Sequence, residues 1–127
     1  MKIPNYFSFP LIFKSQNSYL LLFILCVTSR LLTSINYLED IDSMRFALSL
    51  FDYNIVELRP HFPGYPVFCF FAKIIYSITG SVQFTFSIVG GISIFIIIYY
   101  SDLLFKLLTG KTSHHLLILL FISPLLW

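Results

Sequence analysis

The amino-acid sequence predicts an all-α integral membrane protein, and three observations support that class. Hydrophobic residues make up 57% of the 127 residues and charged residues only 11%, whereas soluble domains carry about 25% charged residues. The mean hydropathy is +0.86. Apolar runs flank a single polar stretch, residues 39–66, that contains five of the six acidic residues. The net charge of +2 is too small and too scattered for nucleic-acid binding, which needs a clustered basic face.

The apolar run at residues 19–38 is predicted to be the first span. About 20 helical residues at roughly 1.5 Å each cross a hydrocarbon core of roughly 30 Å. No small-residue cleavage motif follows the run, so we expect an uncleaved anchor rather than a signal peptide. Lys2 and Lys14 precede it, and the positive-inside rule therefore places the amino terminus in the cytoplasm. Residues 39–81 then form an outer loop at the cell (inner) membrane.

Arg30 lies within this predicted span, toward its outer end. An arginine at the bilayer centre costs about 2.5–3.5 kcal/mol on insertion scales, and less near the interface. Its guanidinium can snorkel to the outer headgroups, or it can serve a site beside the polar stretch. The sequence leaves both interpretations open.

Two short helices are predicted within the outer loop, at about residues 41–51 and 65–79, both lying along the membrane surface. The second offers only about 14 apolar-rich positions, roughly 21 Å of helix, and it carries Lys73 at its middle. Crossing the bilayer would bury that ammonium group or thin the membrane. A crossing would also place Lys106 and Lys111 outside, against the positive-inside rule.

Residues 82–105 are predicted to be the second span, which returns the chain to the cytoplasm before Lys106. Gly90 and Gly91 at its middle indicate a close contact with another helix. Residues 115–127 predict an incomplete third span, since about 13 residues reach only about 20 Å. We therefore expect the chain to be the amino-terminal part of a longer polytopic protein.

Ionisable side chains and backbone restraints are concentrated in the polar stretch. Asp42 and Arg45 lie three positions apart, on one face near the start of the first loop helix. That arrangement fits an interfacial ion pair and a helix cap, which need no function, and it also fits a site. Downstream, Arg59 and His61 stand among three prolines and Gly64, where the backbone must turn, so a stiff loop presents both side chains.

Two segments of the polar stretch carry a resemblance to a known family: DSMRFALSLFDYN at residues 42–54 and RPHFPGYPVF at residues 59–68. Together with the short helix, the lysine-terminated span and the segment SPLLW that follow, they resemble the amino-terminal module of GT-C superfamily glycosyltransferases. These polytopic enzymes, related to protein mannosyltransferases and to the aminoarabinose transferases of lipid A, use polyprenyl-phosphate sugars. The resemblance covers nearly the whole chain from about Leu20. It implies an enzyme that transfers sugar to an acceptor on the outer face of the membrane.

The resemblance also implies roles for individual residues. Asp42 matches the catalytic aspartate, which acts as general base on the acceptor hydroxyl in an inverting displacement, and Asp40 is the fallback. A carboxylate at the bilayer edge is ionised yet partly desolvated, which strengthens it as a base. Guanidinium groups suit phosphate recognition. The implied phosphate or sugar contacts are Arg30, Arg45, Arg59 and His61.

The chain departs from the family pattern in two respects. Many members carry a second acidic residue directly after the first, where this chain has Ser43, and this weakens a two-carboxylate mechanism. Members are also several times longer. Some of them use a divalent cation and others do not. The alternative class is a small non-catalytic membrane protein or a transporter fragment whose acidic loop merely solvates the surface.

Overall fold

The computed structural model describes residues 16–35, 37–38, 40–111 and 114–123. That part of the chain folds into five α-helices and contains no β-strand, which confirms the all-α class. The helices follow one another along the chain as α1 (Gln16–Leu32), α2 (Ile41–Phe51), α3 (Pro66–Thr79), α4 (Val82–Thr109) and α5 (His114–Ile122).

Helix α4 contains the second predicted span and continues beyond it to Thr109. At roughly 1.5 Å per residue it is about 42 Å long, more than a hydrocarbon core requires. Within the described residues it is the one helix that is long and apolar enough to cross a membrane. Only 28% of its apolar stretch is buried inside the structure. The remaining apolar surface needs an apolar environment, which a bilayer supplies.

The first predicted span, residues 19–38, is only partly helical. Helix α1 ends at Leu32, so the prediction is wrong for the residues that follow. Beyond that point the Ser34 hydroxyl donates to the Leu31 carbonyl at 2.9 Å. This bond occupies a carbonyl that the next helical turn would use, and such side-chain bonds compete with helix continuation. The cytoplasmic position of the amino terminus was predicted from Lys2 and Lys14, and both residues lie outside the described part of the chain.

Helices α1 and α4 run antiparallel and form the core. Cys26, Ile94 and Ile98 are buried where the two helices meet. A Cβ atom on Gly91 would lie 2.8 Å from the Val27 Cα atom, so only glycine permits the backbones to approach this closely. The predicted helix contact at Gly91 is therefore confirmed.

Helices α3 and α4 are joined by a two-residue turn, Gly80 and Ser81. Gly80 ends α3 in the left-handed region, at φ +63, and the Ser81 hydroxyl caps α4 by accepting the Phe84 N–H at 3.5 Å. The two segments predicted to be helical between the first and second predicted spans are helices in the structure, α3 beginning one residue later than predicted. Helix α3 packs against α4, with the ring centres of Phe68 and Phe86 6.1 Å apart.

Helix α5 is short, with nine residues that extend about 14 Å. Leu117 and Phe121 pack against the core between α1 and α4. The predicted third span, residues 115–127, is thus helical as far as Ile122, and residues 124–127 lie outside the described part.

Candidate functional site

Asp40 caps the start of α2. Its Oδ1 atom accepts the backbone N–H of Ser43 at 2.5 Å, as an N-cap aspartate does. This hydrogen bond lowers the pKa of the Asp40 carboxyl below its ordinary value, because the bond favours the ionised form. The capping role considered for Asp42 therefore belongs to Asp40, and Asp42 lies in the first turn. The fallback base is occupied in holding the helix start.

Asp42, Arg45 and His61 meet at one side of α2. The Oδ1 atom of Asp42 lies 3.6 Å from Nη1 of Arg45 and 3.5 Å from Nδ1 of His61. The Asp42 side chain is 59% exposed, so protein atoms cover less than half of it. The Nδ1 atom of His61 is buried and makes no hydrogen bond with the described residues. When the imidazole is protonated, its positive charge lies close to the negative charge of the Asp42 carboxylate.

Aromatic side chains fix the orientation of the His61 ring. Its centre lies 5.3 Å from that of Phe46 and 5.5 Å from that of Tyr65, both in edge-to-face geometry, which is a favourable arrangement of rings. Phe46 also packs edge-to-face against Phe68 of α3 at 5.1 Å. The aromatic contacts thus tie α2, the loop and α3 together and hold the imidazole beside Asp42.

The loop between α2 and α3 is closed by its own hydrogen bonds. The backbones of Asn54 and Arg59 exchange two bonds of 2.8 Å, and the Tyr53 hydroxyl donates to the Gly64 carbonyl at 3.0 Å. Gly64 has φ +91, and a Cβ atom there would lie 2.8 Å from the Tyr53 hydroxyl. Only glycine fits this position. The predicted turn of the backbone at Gly64 is confirmed.

The other two cationic residues of the predicted site lie elsewhere. Arg59 pairs with Asp52 at 3.3 Å and with Glu57 at 3.1 Å. The Arg30 side chain extends from α1 across Gly90 of α4 and lines a cavity that does not include Asp42. The fold therefore gathers Arg45 and His61 around Asp42, and it directs Arg59 and Arg30 to other neighbours.

An apolar groove of about 600 Å³ lies between α3 and α4. Its walls include Phe71 and Ile75 of α3 and Ile92 and Ile96 of α4. Tyr65 also lines the groove, and the same side chain contacts His61. The groove therefore begins beside the cluster around Asp42, and its volume lies within the usual range for ligand pockets, about 300–1,000 Å³.

One buried carboxylate, that of Asp102, was not among the predicted site residues. It lies at the end of the helix pair where α1 begins and α4 ends. Asp102 is 1% exposed. It accepts the Tyr19 hydroxyl at 2.6 Å and pairs with Lys106 one turn later. Lys106 also donates to the Tyr19 hydroxyl. The signal in the sequence is an isolated acidic residue inside an apolar run, four positions before a lysine.

The cluster around Asp42 offers few ligands for a divalent cation. Such ions take six or more oxygen ligands, or carboxylates together with substrate phosphates. Across residues 16–35, 37–38, 40–111 and 114–123, no three His, Cys, Asp or Glu side chains come together as a metal site. The position after Asp42 is Ser43, and Arg45 brings positive charge. No chemical step is therefore assigned to a cation.

Comparisons of the chain with known protein families, with characterised proteins and with solved structures found no match.

Proposed function

We propose that the chain is the membrane module of a glycosyltransferase that uses a polyprenyl-phosphate sugar, with Asp42 as the general base. The observation that carries this proposal is the position of the Asp42 cluster at one end of the apolar groove, joined to it through Tyr65. A polar cluster beside an apolar groove suits a donor that has a sugar phosphate at one end and an isoprenoid tail. The resemblance of the polar stretch to the GT-C module supports the same chemistry.

The proposed reaction is a single displacement at C1 of the donor sugar. Asp42 takes the proton of the acceptor hydroxyl as its oxygen attacks C1. The bond between C1 and the phosphate oxygen breaks, polyprenyl phosphate leaves with the bonding electrons, and the configuration at C1 inverts. Arg45 supplies positive charge for the phosphate. His61, held by its aromatic neighbours, keeps an imidazole beside the base.

The proposal places this reaction on the outer face of the cell membrane. Helices α1 and α4 cross the bilayer, and α2 and α3 lie along its outer surface. Helix α3 is about 21 Å long, too short to cross easily, and its half-buried Lys73 makes no ion pair with the described residues. Lys106 and Lys111 then lie on the cytoplasmic side, in agreement with the positive-inside rule.

Replacing Asp42 by asparagine tests the base. In membranes containing the protein expressed from its complete gene, Asp42→Asn should lower sugar transfer by about 10²–10⁴-fold, the usual contribution of a general base. The amide keeps the size of the carboxyl group but cannot take the proton. Transfer is measured with a panel of polyprenyl-phosphate pentoses and hexoses, at matched protein levels.

The matched control is Asp40→Asn, because asparagine still caps α2. Transfer by this variant should stay near the wild-type rate. Undiminished transfer by Asp42→Asn would remove Asp42 from the mechanism, and a loss confined to Asp40→Asn would assign the base to Asp40.

Cysteine labelling tests the topology in a background in which the two native cysteines are alanine. A cysteine at Lys111 should react with a membrane-impermeant maleimide only after the membrane is permeabilised. Cysteines at Asp52 and at Lys73 should react in intact cells, because they lie in the outer loop. Labelling of the Lys111 position in intact cells would contradict the proposed orientation.

The exposure of Asp42 favours a second function. More than half of its side chain faces solvent, and Arg45 and His61 offset its charge, as in a loop that only solvates the surface. The chain would then be a non-catalytic small membrane protein or part of a transporter. Wild-type membranes would in that case transfer no sugar from any donor in the panel, whereas membrane insertion would be normal.

A further inference from the structure

We infer that a second cavity, between α1, α2 and α4, binds a phosphate group carried by a membrane lipid or free in solution. The cavity has a volume of about 500 Å³. Its polar wall is drawn from three helices and includes Arg30, Ser43, Gln83 and Ser87. Because Asp42 is not among its lining residues, this site is distinct from the proposed site of sugar transfer and does not rest on it.

The Arg30 guanidinium is positioned by the helix pair. A Cβ atom on Gly90 would lie 3.3 Å from Nε and 3.4 Å from Nη2 of Arg30, so the glycine leaves the space that the guanidinium occupies. The Nε atom is buried. A guanidinium carries five N–H donors in a planar fork, so it can serve an anion as well as its protein neighbours. That fork matches the oxygens of a phosphate group.

Uncharged donors complete the polar wall. A helical serine commonly donates to its own backbone, as Ser93 does to the Val89 carbonyl at 2.8 Å. Within the described residues, the hydroxyl of Ser87 makes no such bond, so it is available to a ligand. None of the described residues that line the cavity is acidic. One fixed positive charge among neutral donors favours an anion over a cation.

The cavity lies at the end of the antiparallel pair where α1 stops and α4 starts. In a helix pair that crosses a bilayer, helix ends lie near the headgroups, where a guanidinium group can reach a lipid phosphate. The Leu32 side chain, next to this end, is 86% exposed. A lipid phosphate in the cavity would place its acyl chains along such apolar faces of α1 and α4.

Native mass spectrometry of the full chain in detergent tests the lipid source, with phosphatidylglycerol and phosphatidylcholine as probes. Titration with inorganic phosphate tests the soluble source. Arg30→Gln should weaken phosphate binding about tenfold or more, the effect of losing a charge-assisted hydrogen bond. The matched control is Lys73→Gln, which removes one positive charge from α3 outside this cavity and should leave binding unchanged.

Ser43→Leu provides a second variant, because its larger side chain occupies part of the cavity without changing the charge, and it remains informative if Arg30→Gln does not accumulate. Phosphatidylglycerol retention that falls in Arg30→Gln or Ser43→Leu but not in Lys73→Gln supports the site with a lipid phosphate. The same pattern for inorganic phosphate alone supports it with a free anion. Equal binding by the wild type and the cavity variants, or an equal loss in Lys73→Gln, would overturn the inference.

Discussion

Replacing Asp102 by alanine should lower the free energy of unfolding in detergent by about 3 kcal/mol, because it breaks a buried ion pair. Asp102 is almost fully buried, and its carboxylate is the partner of both Lys106 and the Tyr19 hydroxyl. Without it, the ammonium group loses its counter-charge and the hydroxyl loses its acceptor. The expected value is at the lower end of the range for such changes, since a lysine in the last turn can reach the headgroups.

Two further variants separate charge pairing from simple loss of packing. The double substitution Asp102→Leu with Lys106→Met should recover most of the lost stability, because it removes both charges and keeps apolar volume. Asp52→Ala breaks an exposed pair with Arg59 and should cost less than about 1 kcal/mol. Unfolding is followed by far-UV circular dichroism. A double variant as unstable as Asp102→Ala would show that the ion pair is not the cause.

Replacing Gly91 by alanine should also destabilise the α1–α4 pair, by about 1–3 kcal/mol, as overpacking does. The new methyl group would meet the Val27 Cα atom at 2.8 Å and the Cys26 carbonyl oxygen at 3.0 Å. Both are backbone atoms, which cannot turn away, so the helices must separate. The loss should appear although alanine is the better helix former by about 1 kcal/mol.

The neighbouring glycine is the matched control. At Gly90 the nearest atoms belong to the Arg30 side chain, 3.3 Å away, and this side chain can move. Gly90→Ala should therefore leave stability unchanged or raise it. In a Cys69→Ala background, reaction of the buried Cys26 thiol with a fluorescent maleimide during heating reports the opening of the contact. Equal midpoints for the two variants would contradict the steric explanation.

Local patterns in the sequence predict most of the helices and part of the candidate site. Helix α2 has the predicted bounds, and α4 includes the whole of its predicted span, because apolar periodicity and cap residues act over one or two turns. The contact between Asp42 and Arg45 is local in the same sense, since a spacing of three places both side chains on one helix face. The end of α1 was harder to predict, because apolar composition continues past Leu32 whereas backbone hydrogen bonding does not.

Contacts between residues that are far apart in the chain could not be predicted from the sequence. His61 lies beside Asp42 in a loop that is closed by the hydrogen bond between Tyr53 and Gly64. The conformation of this loop cannot be predicted from the identity of its polar residues. Asp102 shows the converse case, since its spacing from Lys106 is visible in the sequence but its burial against Tyr19 is not.

By itself the sequence determined the helical class, a helix long and apolar enough to cross a membrane, and the concentration of acidic groups in one stretch, because composition and short-range spacing control these properties. The tertiary structure alone decided which charged groups meet. It placed His61 rather than Arg59 beside Asp42, and it set Arg30 in a cavity of its own. The reason is physical: packing between helices depends on the shape of side chains far apart in the chain, such as the missing Cβ atoms of Gly90 and Gly91.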